Sequence, residues 1–326
     1  MRTDKEHKDH IRLDMHSCMP LRWQDESFLP QLIRYKQSGF DAVCVNICFD
    51  AVPWEQGVLS LANFRNYLKK NADTYLLIEK YSDFEIAKQE GKLGVFFDIE
   101  GGKSLSDHIG MIEVYYRLGV RWMLLAYNNA NNLGGGCLDQ EDKGLTVFGK
   151  QVIEKMADLG MMLCCSHVGY KTASEAIEYN PNPSIFSHSN PKGVYDHPRN
   201  IPDNLMKQCA SKGGVIGING IGIFLGENLA SSDILVQHID YAVQKIGIEH
   251  VGLGLDYVFD QKELSDFVKA HPEVFPNEKF AAGITMASPE QLPEIGELLT
   301  KKGYKSYDID LIFGENWLRV IKKVWK

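Results

Sequence analysis

Short runs of β-branched and aromatic residues alternate with helix-like stretches through most of this chain, and glycine closes one helical stretch after another. That alternation is the signature of βαβ units and of a parallel sheet. Strands are expected over 11–16, 41–47, 93–99, 120–126, 161–166, 184–188, 214–219 and 250–255. Several are apolar on both faces, as a parallel strand covered inside and outside should be. Helical patterns fall at 28–38, 59–90 (read as two helices), 105–118 and 146–159, followed by Gly39, Gly91, Gly119 and Gly160 as stop signals, and then at 170–179, 202–212 and 232–246. Eight such strands in an α/β order predict a (β/α)8 TIM barrel.

The strand tips carry the chemistry. In order they present His16 in IRLDMHSC, Glu100 in LGVFFDIEGG, His167 in MMLCCSHVG, His188 in SIFSHSN and Asp256 in VGLGLDY. In a barrel all strand C-termini open onto one face, so residues far apart in sequence would meet there. Imidazole and carboxylate are good ligands for Zn²⁺ and related ions, and their convergence points to a metal-dependent hydrolase. A lone histidine at a strand end would read as a hydrogen-bonded core residue; three in this pattern with Glu100 read as ligands. Glu100 could otherwise cap the helix after its Gly pair, and Asp256 could be an N-cap.

A net charge of −8 gives no reason to expect nucleic acid or an anionic membrane as partner. No stretch approaches the roughly 18 uninterrupted apolar residues of a membrane span. The charged start MRTDKEHKDHIRLD shows no apolar signal segment. Seven cysteines, an odd number lying mostly in apolar runs, read as reduced thiols, and the expected location is cytoplasmic. No composition break splits the chain, so residues 1–326 are expected to form one barrel domain with C-terminal helices, ending GENWLRVIKKVWK, packed on its outside. The polar segments 128–145 and 190–201 follow predicted strands and should overhang the site, with 257–290 as a third candidate lid.

An ordered set of motifs then adds a resemblance: DMHSCMP, IEGG at 99–102, GLTVFGKQVIEKMADLGMMLCCSHVG at 144–169, IFSHSN, PRNIPDNLM, GLGLDY and GENWLRV. Together they resemble the membrane (renal) dipeptidase family of zinc peptidases, nearly end to end. The resemblance implies a barrel with two zinc ions that hydrolyses dipeptides, and it suggests a homodimer. It implies His16 as a ligand of the first metal, Glu100 as the bridge, and His167 and His188 as ligands of the second. Arg199 matches the arginine that grips the substrate carboxylate, a task suited to a bidentate guanidinium. Asp256 matches the aspartate expected to pass a proton to the leaving amine.

Two positions depart from that pattern. The family's His-x-Asp reads His16-Ser17-Cys18 here, and Tyr127 stands where many members place a histidine. A thiolate is a competent zinc ligand at about 2.3 Å, but Cys18 could equally be a small buried filler. Tyr127 either packs or donates a hydrogen bond to the oxyanion. Arg199, beside Pro198 and Asp196, has a surface salt bridge as its alternative reading, and Cys137 a loop role near the mouth. His7, His10, His108, His197, His238, His250 and His271 lack a strand-tip context and read as surface or structural. The expected function is zinc-dependent hydrolysis of a small dipeptide, with two zincs per chain, or one if Cys18 does not ligate. The alternatives are a mononuclear amidohydrolase or lactonase, and a binding or maturation protein that has lost the first metal.

Overall fold

The computed structural model describes residues 10–272 and 283–326; His7 and the middle of the third candidate lid lie outside them. The strands among the described residues are β1 (Leu13–Cys18), β2 (Ala42–Phe49), β3 (Tyr75–Leu77), β4 (Leu93–Glu100), β5 (Val120–Leu124), β6 (Met162–Cys164), β7 (Ile216–Ile218), β8 (Val251–Leu253) and β9 (Tyr257–Val258). Hydrogen-bonded neighbours run β6-β5-β4-β2-β1-β9, with β7 paired to β8, and all of these pairings are parallel. Residues 185 and 186 join the two sets through the parallel bridges Cys164↔Ile185 and Phe186↔Ile216. On the other side, Asp256 N donates to His16 O at 3.1 Å and Leu255 N to Asp14 Oδ1 at 2.9 Å. The eight predicted strands therefore follow one another around a (β/α)8 barrel, and their C-terminal ends share one face.

Apolar sequence on both faces explains the two longest strands. Every residue of β4 is buried, and in β2 only Phe49 at the tip is partly exposed. Such strands need cover inside and outside, which helices over the barrel supply. Helix Val147–Leu159 shows how the ends are set: Thr146 Oγ1 accepts from Gly149 N at 2.9 Å, and Gly160 stops the helix at φ 85°.

Three expectations need correction. The stretch 59–90 is two helices, Trp54–Lys70 and Ser82–Gln89, but β3 lies between them and pairs with the start of β4. The helical period breaks at Asn71-Ala72-Asp73, which frees Tyr75, a good strand former. The 105–118 helix starts only at Met111, because Ser106 and Asp107 adopt positive φ and interrupt the turn before it. The 184–188 strand is reduced to bridges at Ile185 and Phe186.

The tail ends in helix Asn316–Val324, which lays Trp317 against β7 and β8. The indole is fully buried, and its Nε1 donates to Leu253 O at 3.0 Å. A Cβ on Gly252 would stand 2.4 Å from that nitrogen, so only glycine lets the ring seat. Trp317→Ala is therefore expected to lower stability by about 3–5 kcal/mol in urea unfolding; a loss below about 1 kcal/mol would show that the tail does not brace the barrel.

Candidate metal centre

Each site residue hangs from the end of a barrel strand or the first residues after it. His16 and Cys18 close β1, Glu100 closes β4, His167 follows β6, His188 follows the bridge at 185–186, and Asp256 follows β8. The five expected tips converge. Glu100 Oε1 lies 3.1 Å from His188 Nε2, 3.4 Å from His167 Nε2 and 3.5 Å from His16 Nε2. His167 Nε2 and His188 Nε2 are 2.9 Å apart, and Asp256 Oδ1 is 3.4 Å from His16 Nε2. Cys18 Sγ stands 3.5 Å from His16 Nε2 and 3.8 Å from Asp256 Oδ1.

Partners fix which ring nitrogens face inward. His16 Nδ1 meets Asp98 Oδ2 at 3.1 Å, and His167 Nδ1 meets Asn128 Oδ1 at 2.7 Å. Carboxylate and amide oxygens only accept, so both Nδ1 atoms carry the proton and both Nε2 atoms point to Glu100. His188 Nδ1 is held by Ser187 Oγ at 2.7 Å. Asp98 is itself anchored by Asn46 Nδ2 at 2.9 Å and by the Cys44 thiol at 3.2 Å. Asn219 Nδ2 donates to Asp256 Oδ2 at 2.8 Å. Asn128, His167 and Asp256 all adopt left-handed φ, at 61°, 63° and 58°. Strain of this kind persists where the surroundings over-determine it, which is common at functional sites.

The electrostatics call for a cation. Burial pushes the Glu100 carboxyl up, to about 8, and its Oε1 has no hydrogen-bond partner among the described residues. Burial alone would lower His16, but Glu100 and Asp98 outweigh it and hold the imidazole well above its usual range. His167 and His188 go the other way, driven well down by burial, which suits candidate ligands, whereas His16 would have to give up its proton to ligate. Three sets of donor atoms lie within 4.8 Å of one another: Glu100-His167-His188, His16-Cys18-Glu100 and His16-His188-Asp256. Glu100 belongs to two of them. Nitrogen, carboxylate and sulfur donors at this spacing fit Zn²⁺ or a similar ion.

The remaining candidates also gather here. A cavity of about 290 Å³ opens over the centre, and Cys18, Glu100, Tyr127, His167, Arg199 and Asp256 all line it. Arg199 is buried, with Nη2 donating to His188 O at 3.1 Å, while Asp196 pairs instead with Lys192. The surface salt bridge is thus excluded for Arg199. Its Nε has no hydrogen-bond partner among the described residues. Tyr127 stacks on His167 with centroids 4.1 Å apart. Neither capping alternative survives: Asp260 caps the helix after Asp256, and no side chain caps the turn after Glu100. Cys18 is half-exposed to the cavity, its thiol pushed up to about 12 by burial.

Cys137 meets Asn128 at 3.6 Å and joins none of the metal-ligand sets. His197 is buried rather than on the surface, and it has the structural part expected as the alternative, its Nδ1 accepting from Arg199 N at 3.1 Å; it also lines the cavity. Its place beside Arg199 was the available signal. Asp98, Asn128 and Asn219 were missed as well. Asp98, an acid inside the apolar run VFFDIE, was the legible one of the three.

A parallel barrel that brings imidazoles and carboxylates to one mouth has the architecture of the TIM-barrel class, with a candidate metal site where the strands end. The sequence pattern of the membrane dipeptidase family, peptidase family M19, matches residues 32–275, and the chain belongs to that family. An uncharacterised dipeptidase of Schizosaccharomyces pombe is 35% identical over 188 residues, covering 54% of this chain and 45% of that protein. A second from the same yeast is 32% identical over 180 residues, covering 52% and 42%. The chain thus matches under half the length of these two relatives. An uncharacterised Klebsiella pneumoniae protein from the region 5′ of pqqA is 27% identical over 284 residues, covering 84% of this chain and 96% of its own. Among solved structures, an amidohydrolase from Pseudomonas aeruginosa superposes with a TM-score of 0.88 at 26% identity, covering 98% of both chains. A Rhodobacter sphaeroides metallopeptidase liganded with a phosphinate mimic of L-Ala-D-Ala reaches 0.79 at 19% identity, covering 97% of this chain and 100% of its own; that likeness is one of fold.

No described helix is long and apolar enough to cross a membrane. Asp98 holds His16, a candidate ligand, and does not line the cavity, so it tests the centre cleanly. Asp98→Asn should weaken zinc binding about 10–100-fold in a chelator competition; unchanged affinity would mean that His16 is not a ligand.

Proposed function

We propose that the chain is a zinc-dependent, dipeptidase-like hydrolase of small amides. The observation that carries this is the buried Glu100 oxygen, without a hydrogen-bond partner among the described residues and ringed by three imidazole nitrogens, beneath a cavity that Arg199 also lines. In this reading Glu100 would be shared between two ions, His16 and Cys18 would help hold one, and His167 and His188 the other. Bound zinc would supply a Lewis acid for the scissile carbonyl and lower the pKa of water.

The chain's own groups do the rest. Arg199 lines the cavity and would attract the terminal carboxylate of a substrate with its guanidinium, so selecting free acids. Asp256, turned inward by its left-handed backbone and steadied by Asn219, carries a proton to the leaving amine. Tyr127 has its pKa pushed well up by burial, so it keeps its proton and can donate to a developing oxyanion while its ring braces His167. The same reading takes the chain as one barrel domain and a homodimer. The seven unpaired cysteines suit a reducing compartment such as the cytoplasm. Metal analysis and a screen of L,L- and L,D-dipeptides on one preparation should give two zincs per chain and hydrolysis; a metal-replete preparation with neither would refute the proposal.

A second reading, a mononuclear amidohydrolase, is favoured by one observation: a thiol stands where the family pattern has a carboxylate, and burial near Asp256 and Glu100 makes its proton harder to displace. Cys18→Asp decides between them. If Cys18 ligates, wild type and variant both hold two zincs, and only the wild type loses about one to thiol alkylation. A gain of one zinc in the variant would establish the mononuclear reading.

Arg199 separates binding from chemistry. Arg199→Lys should raise KM about tenfold or more for free-acid dipeptides, with less effect on their C-terminal amides. Equal losses on acids and amides would assign the arginine some other part.

A further inference from the structure

Resting on that reading, we infer that the substrate carries a bulky apolar side chain, of leucine or phenylalanine size, seated against a wall made by Phe49, Leu264 and Phe267. The cavity has two characters. Its floor is polar, with Glu100, His167, Arg199 and Asp256, whereas much of the remaining lining is apolar. A chain of rings links the two. Tyr127 stacks on His167 at 4.1 Å, Phe49 lies 5.1 Å from Tyr127, and Phe267 meets Phe49 edge-on at 5.3 Å.

The outermost ring, Phe267, comes from helix Gln261–Ala270, which follows the strand end bearing Asp256, while Phe49 closes β2. Leu264 and Phe267, three residues apart and so on one helix face, are half-buried and both line the cavity. The two acids at the start of that helix that line the cavity are already engaged: Arg22 Nη1 donates to the N-cap Asp260 at 3.0 Å and also to Glu263. A charged substrate side chain would have to displace Arg22 or lie unpaired against phenyl rings, and either costs affinity. Glycine would leave those rings wet. A leucine or phenylalanine side chain removes water from them while the peptide unit stays over the polar floor. A fit of this kind discriminates by about 10- to 200-fold.

The experiment is a matched series of free-acid dipeptides, alanine at one position and Gly, Ala, Leu, Phe, Glu or Lys at the other, tested in both orientations with the metal-replete protein. For at least one position, kcat/KM for Leu or Phe should exceed that for Gly, Glu and Lys by roughly tenfold or more. Phe267→Ala should shrink that advantage, costing the Leu and Phe substrates about tenfold more than the Ala one. Peptides that are not cut are measured as ligands by calorimetry. Selective binding of the Leu and Phe peptides without turnover would uphold the apolar subsite while defeating the hydrolase reading. Equal handling across the series, a preference for charged side chains, or an advantage untouched by Phe267→Ala would overturn the inference.

Discussion

A carboxylate buried at the mouth of the barrel, with one oxygen facing three imidazole nitrogens, is the constraint on which this site depends. Leaving such an oxygen unpaired costs free energy comparable to a lost charged hydrogen bond. The surroundings make the arrangement specific rather than accidental. His16 is aimed by Asp98, His167 by Asn128 and His188 by Ser187, and each partner turns an Nε2 toward Glu100. Three left-handed, non-glycine residues are held in the same few ångströms. A cation between these groups would relieve the carboxylate and give the strained backbone a purpose.

The barrel makes that convergence possible. Parallel strands bring their C-termini to one face, so residues as distant as His16 and Asp256 become neighbours, joined also by Asp256 N donating to His16 O. Asp14 strengthens the same seam. It is fully buried, accepts from Leu255 N and from the Tyr35 hydroxyl, and burial pushes its carboxyl up to about 6. The Trp317 indole braces the neighbouring strands from outside. Fold stability and site geometry are thus borne by the same few strands.

Strand tips were legible in the sequence because a polar residue ending an apolar run has a simple meaning in a parallel sheet. His16, Glu100, His167, His188 and Asp256 all follow that rule, and all five meet. What orients them was not legible. Asn128 lies in a loop, where no period constrains the reading; Asn219 ends the expected strand 214–219, but only the folded chain shows what either amide touches. Asp98 points to the same side of β4 as Glu100, as period two requires, but its partner His16 is 82 residues away. Tyr75–Leu77 was absorbed into a helical stretch because three residues are too few to establish a strand period. His197 was set aside for lacking a strand tip, although it reaches the cavity from a loop.

Cys18 and the aromatic wall give this member of the family its own character: a soft donor at one end of the site and apolar rings at the other. Both matter only if the centre binds metal. The most direct measurement is a calorimetric titration of metal-stripped protein with zinc, run beside Glu100→Gln. Two equivalents are expected for the wild type, together with a rise in Tm. Glu100→Gln should lose at least one equivalent and much of the rise, since a neutral amide cannot replace the shared carboxylate. Two equivalents bound as tightly by Glu100→Gln, or no zinc bound by the wild type, would contradict a metal centre built around this residue.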